Sequence, residues 1–159
     1  MQFTGCNIEF SIGKVNYNFD TIMIPQLIKG DRHEDGRGSL LYNNEFNSEA
    51  IKRFYIIENA DPDFIRAWRG HQIEERWFSA ISGSFTIQLI AIDNWELPCK
   101  KLGRLTFNLQ SSTLDVLHIP SGYITSIQAV EKNSKLLAMA NYTVGEIEDE
   151  YRFAADYFE

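Results

Sequence analysis

The stretch RLTFNLQSSTLDVLHIPSGYITSIQAVEKNSKLLAMANY, residues 104–142, contains four β-type runs separated by turns. The runs are Arg104 to Leu109, Leu114 to Ile119, Tyr123 to Val130 and Lys135 to Tyr142. Each has about five to eight residues, which is the usual length of a strand in a globular protein. The stretch therefore predicts a series of short strands joined by turns.

The chain before this stretch follows the same pattern. Further strands are predicted at Ser39 to Tyr42, Lys52 to Glu58, Phe64 to Trp68, Arg76 to Ile81 and Phe85 to Ile92. Ser82-Gly83-Ser84 predicts a hairpin-like break, and Gly30 to Gly38 (GDRHEDGRG) predicts a polar loop. The helix candidates are weak, because Ser48 to Ile51 is very short and Glu146 to Tyr157 lacks a clear apolar stripe.

At least eight short strands with turn signals indicate an all-β fold, either a barrel or a jelly roll. The length of 159 residues suits one domain with its own core, so we expect a single domain over residues 1–159. Residues 1–21 precede the patterned region. They are expected to form an extra strand, such as Asn7 to Ile12, or a loose arm.

Composition and charge exclude several classes of protein. The formal net charge is −7, with 15 Lys and Arg residues, which argues against general nucleic-acid binding because that function needs a basic face. No apolar run reaches the ~18 to 20 residues of a membrane-spanning helix, and the start of the chain lacks the pattern of a signal peptide. The expected location is the cytoplasm.

Six motifs, in order along residues 22–158, resemble the sugar-nucleotide 3,4-ketoisomerase family, the WxcM-like cupins related to the dTDP-4-dehydrorhamnose 3,5-epimerases. They are Asp35 to Leu40 (DGRGSL), Ile51 to Tyr55 (IKRFY), Arg66 to His71 (RAWRGH), Ile81 to Ile87 (ISGSFTI), Ile119 to Tyr123 (IPSGY) and Asp149 to Phe158 (DEYRFAADYF). The resemblance implies a cupin-type β-barrel that forms a homodimer and isomerises or epimerises a nucleotide-linked 4-keto-6-deoxyhexose, with dTDP as the expected nucleotide.

Such a reaction needs a base that removes a C–H proton beside the ketone and a donor that stabilises the enolate oxygen. His71 matches the second histidine of the family motif and is the first candidate for the base, because imidazole titrates near neutral pH. The alternative is a partly buried structural histidine. His118 fits core packing as well as function, and His33 is expected to be solvated.

Arg69 stands where the family carries its first motif histidine. A guanidinium stays protonated, so Arg69 is expected to stabilise an enolate or hold a phosphate. Residues i and i+2 of a strand share a face, so Arg69 and His71 should point into the barrel together, and the nearby charge should lower the pKa of His71. Relatives also place a histidine after the Ile-Pro pair, where this chain has Tyr123, Ile124 and Thr125; Tyr123 is a candidate proton donor or a packed aromatic.

Other candidates would bind the substrate. Arg37, Arg53 and Arg66 could converge on a pyrophosphate, although each could equally form a surface ion pair. Tyr55 and Trp77 could stack on the base or sugar, or lie in the core, and Tyr55 is a second candidate donor.

No metal or other cofactor is expected, because His71, Glu75 and His118 do not make an ordinary ligand set. The missing motif histidines also leave a second class of function open. In that alternative the chain is a non-catalytic cupin that binds a sugar nucleotide or a partner enzyme.

Overall fold

The computed structural model describes residues 23–159, and within them every regular element is a β-strand. The strands are β1 Gln26–Ile28, β2 Asp31–Asp35, β3 Gly38–Tyr42, β4 Arg53–Ile57, β5 Ile65–His71, β6 Arg76–Ser82, β7 Ser84–Ala91, β8 Arg104–Gln110, β9 Val116–Ile119, β10 Tyr123–Ala129, β11 Lys135–Ala140 and β12 Tyr151–Arg152. The all-β prediction is confirmed. The strand or arm predicted before residue 22 lies outside the described residues.

Ten strands form two antiparallel five-stranded sheets. The first sheet has the order β1-β9-β6-β11-β4, and the second has the order β12-β5-β10-β7-β8. The sheets face each other across one core, in which Phe85, Ile87 and Leu89 of β7 meet Phe78 and Leu136 of the first sheet. These five side chains are almost completely buried. Because alternate strand residues point to one face, each inner residue is followed by an outer one.

The strands on either side of Gly83 do not form the predicted hairpin. β6 pairs with β9 and β11 in the first sheet, whereas β7 pairs with β8 and β10 in the second. Gly83 is the corner where the chain passes between the sheets, with a φ of 66°. A Cβ there would lie 2.1 Å from Ser134 Oγ, so only glycine fits. A tight turn within a hairpin and a corner between two sheets give the same signal in the sequence.

The prediction of a loop at Gly30 to Gly38 is also wrong. β2 and β3 pair in a separate two-stranded hairpin, with Gly36 and Arg37 at its turn. The side chains of this hairpin are exposed or partly exposed. The two strands therefore lack the alternation of apolar and polar residues by which a strand is predicted from sequence. The Asp35 carboxylate accepts hydrogen bonds from the backbone N–H and the guanidinium of Arg37 and closes the turn.

Neither helix candidate is a helix. Ser48 to Ile51 forms a turn closed by a 3.0 Å hydrogen bond from the Ile51 N–H to the Ser48 carbonyl. In the acidic segment Glu146 to Tyr157, β12 pairs with β5, and Phe153 and Tyr157 pack with Phe158 against Trp68 on the outer face of the second sheet. Within residues 23–159 there is no helix that could cross a bilayer.

Candidate active site

A cavity opens between the two sheets, and both contribute to its wall. Its inner part, about 50 Å³, includes Arg66, His71, Phe78 and Tyr123 in its lining. An outer cleft of about 360 Å³ includes Arg53, Tyr55 and Arg152 in its lining. Arg69, His71, Glu74 and Arg76 line both parts, so these four side chains lie where the cleft meets the barrel interior.

The register of β5 decides which of its residues face the cavity. Against β10, His71 lies opposite Tyr123, Arg69 opposite Thr125 and Arg66 opposite Ile127. Between the last two pairs, two residues of β5 therefore lie opposite one residue of β10, which is a β-bulge. The bulge brings Arg66 to the face that Arg69 and His71 already share. The structure thus places Arg69 and His71 on one side, as strand alternation predicts.

The hydrogen bonds of His71 define its protonation state. Its Nε2 lies 2.7 Å from Arg76 Nη2, and its Nδ1 lies 2.6 Å from the Asp149 carbonyl oxygen. A guanidinium only donates, so Nε2 accepts and the ring proton is on Nδ1, which donates to the carbonyl. The imidazole is therefore neutral, and its basic nitrogen lies beside Arg76, which lines the same cavity.

The pKa of His71 is lowered, first by burial and then by the charge of Arg76. The expectation that Arg69 supplies this charge is wrong. Arg69 is directed to the outer cleft, where its Nε lies 3.0 Å from Glu150 Oε1 and its side chain is 45% exposed. Arg76 is closer because β6 of the first sheet faces β5 across the cavity.

Arg76 also connects the imidazole to a phenol and a carboxylate. Its Nη1 donates to the Tyr55 hydroxyl oxygen and its Nε donates to Glu74 Oε1. Glu74 is buried and also accepts two 3.2 Å hydrogen bonds from Arg53 Nη2. Base, phenol, carboxylate and two guanidinium groups form one network at the mouth of the barrel.

Asp149 anchors the chain segment that carries this network. Its buried carboxylate accepts hydrogen bonds from the backbone N–H groups of Gln72, Ile73 and Glu74 at 2.9, 2.8 and 2.7 Å. The same residue holds His71 through its carbonyl. Asp149 therefore fixes both the tautomer of the base and the connection between β5 and β6.

Tyr123 and Arg66 complete the inner cavity. Burial raises the pKa of the Tyr123 phenol, so this residue stays protonated at neutral pH. The Arg66 guanidinium lies 5.8 Å from the centre of the Phe64 ring, and within residues 23–159 it forms no ion pair with a carboxylate. It is the cavity arginine whose charge no carboxylate of the described chain offsets.

Two predicted binding residues lie elsewhere. Arg37 is at the turn of the β2–β3 hairpin, where it pairs with Asp35 at 2.6 Å and its side chain is 89% exposed. Trp77 faces the outer side of the first sheet and stacks on His118, with ring centres 4.8 Å apart. His33 is exposed near Asp35 in the same hairpin as Arg37.

The sequence interpretation missed Arg76, Glu74 and Asp149. Alternation along Arg76, Trp77 and Phe78 places Arg76 on the same face as Phe78, but it does not show which face is inside, because Trp77 and Phe78 are both buried. No local signal identified Glu74 or Asp149. Within residues 23–159 no group of three His, Cys, Asp or Glu side chains is placed to hold a metal ion, and a metal-free reaction stays a prediction.

Comparison with known proteins gives structural neighbours only, since no family model and no curated protein sequence matches the chain. The 3,4-ketoisomerase QdtA from Thermoanaerobacterium thermosaccharolyticum, solved in complex with TDP, is 22% identical with a TM-score of 0.63, covering 84% of this chain and 91% of that one. A 3,4-ketoisomerase from Helicobacter canadensis is 23% identical with a TM-score of 0.64, covering 86% and 96%.

The rmlC epimerase of Mycobacterium tuberculosis is 14% identical with a TM-score of 0.66, covering 85% of this chain and 72% of that one. Likeness at these identities shows the fold. The cupin-type β-barrel predicted from the motifs is therefore confirmed, and the neighbours are the two kinds of enzyme that those motifs resemble.

Proposed function

We propose that the chain is an isomerase or epimerase of a nucleoside-diphosphate-linked 4-keto-6-deoxyhexose, acting by proton transfer through an enediol or enolate. The observation that carries the proposal is the neutral His71, whose basic Nε2 is bonded to the Arg76 guanidinium, which in turn is bonded to the Tyr55 phenol. A base, an electrophile and an acid are the groups that proton transfer beside a ketone requires. The ligands of the neighbouring structures, TDP and TDP-4-keto-6-deoxyglucose, support the substrate class.

In the proposed reaction His71 Nε2 removes the proton from the carbon next to the ketone. Arg76 donates to this nitrogen in the ligand-free chain, so the substrate's ketone oxygen must take over that donor. The exchange frees the lone pair of the base and places a positive charge where the enolate oxygen forms. In an isomerisation the imidazolium then delivers the proton to the former ketone carbon, and the hydroxyl on the first carbon loses its proton to the tyrosinate left after protonation of the enolate oxygen and becomes the new ketone. In an epimerisation an acid on the opposite face of the sugar protonates the first carbon, because return of the proton by His71 would restore the original configuration.

The proton that reaches the enolate oxygen comes from a tyrosine. Tyr55 is favoured, because its oxygen accepts from Arg76 and its own hydrogen is therefore free to donate to the substrate. Tyr123 lies opposite His71 in the register of β10 and is the alternative donor. Tyr55→Phe and Tyr123→Phe separate the two, because the variant that lacks the true donor loses turnover while the other retains it.

Arg66 and Arg69 are proposed to hold the pyrophosphate. A guanidinium matches two phosphate oxygens with parallel N–H groups. Arg66 has no competing carboxylate among the described residues, and the ion pair of Arg69 with Glu150 is half-exposed and weak enough to exchange for phosphate. Arg53, held by Glu74, contributes positive charge at the cleft.

The test is wash-in of deuterium. Incubated with dTDP-4-keto-6-deoxyglucose in heavy water, the protein is expected to introduce deuterium beside the ketone, as measured by mass spectrometry and NMR. TDP alone is expected to raise the melting temperature. Absence of exchange with every 4-keto-6-deoxyhexose nucleotide tried would contradict the proposal.

A non-catalytic sugar-nucleotide-binding protein is the second candidate. It is favoured by Arg69 at the place of the family's first motif histidine and by Arg76, which occupies the lone pair of His71. This candidate predicts that TDP and its sugar derivatives stabilise the protein without any exchange. The same two measurements therefore decide between the candidates.

A homodimer in the cytoplasm belongs to the same proposal. The β2–β3 hairpin pairs only with itself in the described chain, and an isolated two-stranded hairpin is barely stable in water. Phe54 and Ile56 on the outer face of β4 are 74% and 54% exposed. A second copy would cover such surfaces, and light scattering at micromolar concentration tests it: a monomer contradicts the dimer.

A further inference from the structure

Glu74 is a buried carboxylate to which the proposed proton transfers assign no step. It is 5% exposed and lines both the inner cavity and the outer cleft. Arg76 donates to its Oε1, and Arg53 Nη2 lies 3.2 Å from each of its oxygens. A carboxylate loses its hydration on burial and stays ionised only when such donors replace the water. Glu74 and its two arginines therefore depend on one another.

The three donor groups of Arg76 point to three different partners. Nε donates to Glu74, Nη1 to Tyr55 and Nη2 to His71. A guanidinium is planar, so a bond at Nε fixes the direction of the two N–H groups at the far end. Tyr55 and His71 are both available to the substrate in the proposed reaction, and Glu74 is the partner that stays in place.

We propose that Glu74 is a positioning residue, which holds the Arg76 guanidinium across His71 and Tyr55 so that it reaches the developing enolate oxygen. The inference rests on the proposed function. Without this tether Arg76 is free to pivot toward solvent in the cleft, and reacting groups that move by about 1 Å lose about 10²-fold in rate. Glu74 contacts no reacting atom in this proposal.

The neighbouring Glu75 offers a matched control. Its carboxylate faces the other side of the first sheet and lies 2.5 Å from His118 Nε2. The backbone N–H groups of both residues are held by side chains elsewhere, that of Glu74 by Asp149 and that of Glu75 by Asn141. Glu74→Gln and Glu75→Gln therefore remove one charge from the same segment, on opposite faces.

The imidazole of His71 reports the arrangement without any substrate. The charged groups around it are Arg76, which lowers its pKa, and Glu74 and Asp149, which raise it, with Glu150 coupled at longer range. Loss of the Glu74 charge alone should move the pKa of His71 down, but release of Arg76 from its tether should move it up, so the two effects oppose each other in Glu74→Gln. Removing the charge of Arg76 should move it up.

The experiment titrates the His71 imidazole by NMR in the full chain and measures deuterium wash-in on the same samples. We expect the pKa to rise in Arg76→Gln and to match the parent in Glu75→Gln. Exchange should fall about 10²-fold in Glu74→Gln and stay at the parent rate in Glu75→Gln. The rise in melting temperature with TDP should be unchanged in both glutamate variants.

Glu74→Asp covers the case in which Glu74→Gln fails to fold. Aspartate keeps the charge but is one methylene shorter, so it should release Arg76; the pKa of His71 should rise, as in Arg76→Gln, and exchange should fall. Full exchange in Glu74→Asp, or equal behaviour of Glu74→Gln and Glu75→Gln, overturns the inference. If the parent protein itself shows no exchange, the proposed function fails, whereas a His71 pKa that does not rise in Glu74→Asp shows that the tether itself is wrong.

Discussion

A histidine lies beside a glutamate on each side of the first sheet, and the two glutamates, Glu74 and Glu75, are neighbours in the chain. Inside the barrel, His71 lies beside Glu74 and Arg76. Outside it, His118 lies beside Glu75 and Trp77. The two histidines differ in the side chain that is bonded to Nε2. Arg76 can only donate, so His71 Nε2 presents a lone pair, whereas the Glu75 carboxylate accepts, so His118 Nε2 carries a hydrogen.

The comparison shows why residue type alone does not identify a base. Both histidines are mostly buried, with side chains 12% and 17% exposed. Only His71 faces the cavity with an unprotonated nitrogen beside an electrophile. His118 is stacked on Trp77 and bonded to a carboxylate, which suits a structural role.

The sharpest test of this contrast exchanges each histidine for glutamine. His71→Gln should abolish deuterium wash-in, a loss of about 10²- to 10⁴-fold for a general base, while TDP still raises the melting temperature. His118→Gln should exchange at the parent rate. If both variants keep their exchange, the base lies elsewhere in the barrel.

The electrophile gives the next largest effect. Arg76→Gln removes the charge beside the enolate oxygen, and we expect exchange to fall about 10²- to 10³-fold, as for loss of one oxyanion donor. Arg76→Lys should recover part of the rate, because the charge returns without the fork geometry. Exchange at the parent rate in Arg76→Gln would assign stabilisation of the enolate to another group.

Arg69 should affect binding more than chemistry. Arg69→Ala is expected to weaken TDP binding by about 1.5 to 3 kcal/mol, the range for a charged hydrogen bond, measured by titration calorimetry. Arg69→His restores the family motif and should keep or raise exchange. Undiminished TDP affinity in Arg69→Ala would remove the phosphate role.

The lowered pKa of His71 also predicts how stability depends on pH. The folded-state pKa of His71 lies below its ordinary value of 6.5, so the unfolded chain takes up a proton first as the pH falls. Its contribution to stability is complete above pH 6.5 and is lost as the pH falls through the folded-state pKa. Urea unfolding of His71→Gln should therefore show a shallower decline below pH 6.5 than the parent.

The smallest effect is expected on the outer face. His118→Gln breaks the hydrogen bond to Glu75 and the stack on Trp77, and should lower the free energy of unfolding by about 1 to 3 kcal/mol. Urea denaturation measures it. A parallel loss of deuterium wash-in in the folded variant would show that the outer pair serves the site.

The sequence predicted most strands because short alternating runs between turn residues need only local information. The strands from β4 to β11 lie close to their predicted ranges. The same rule placed Arg69 and His71 on one face. Residues of one strand share a backbone, so their relative direction follows from spacing.

Tertiary structure decided which strands pair and which face is inside. The sequence around Gly83 predicts a hairpin turn, but Gly83 joins two sheets, because strand pairing depends on partners far along the chain. Arg66 shares the cavity face of β5 with Arg69 only because of the bulge in that strand. Arg76 reaches His71 because the first sheet packs over the second, a contact between sheets that no spacing within one strand encodes. Glu74 lies in the connection between β5 and β6, which Asp149 holds in place. Alternation shows that every second residue of a strand shares a face, but it does not show which face is buried. Only the packed core decides that.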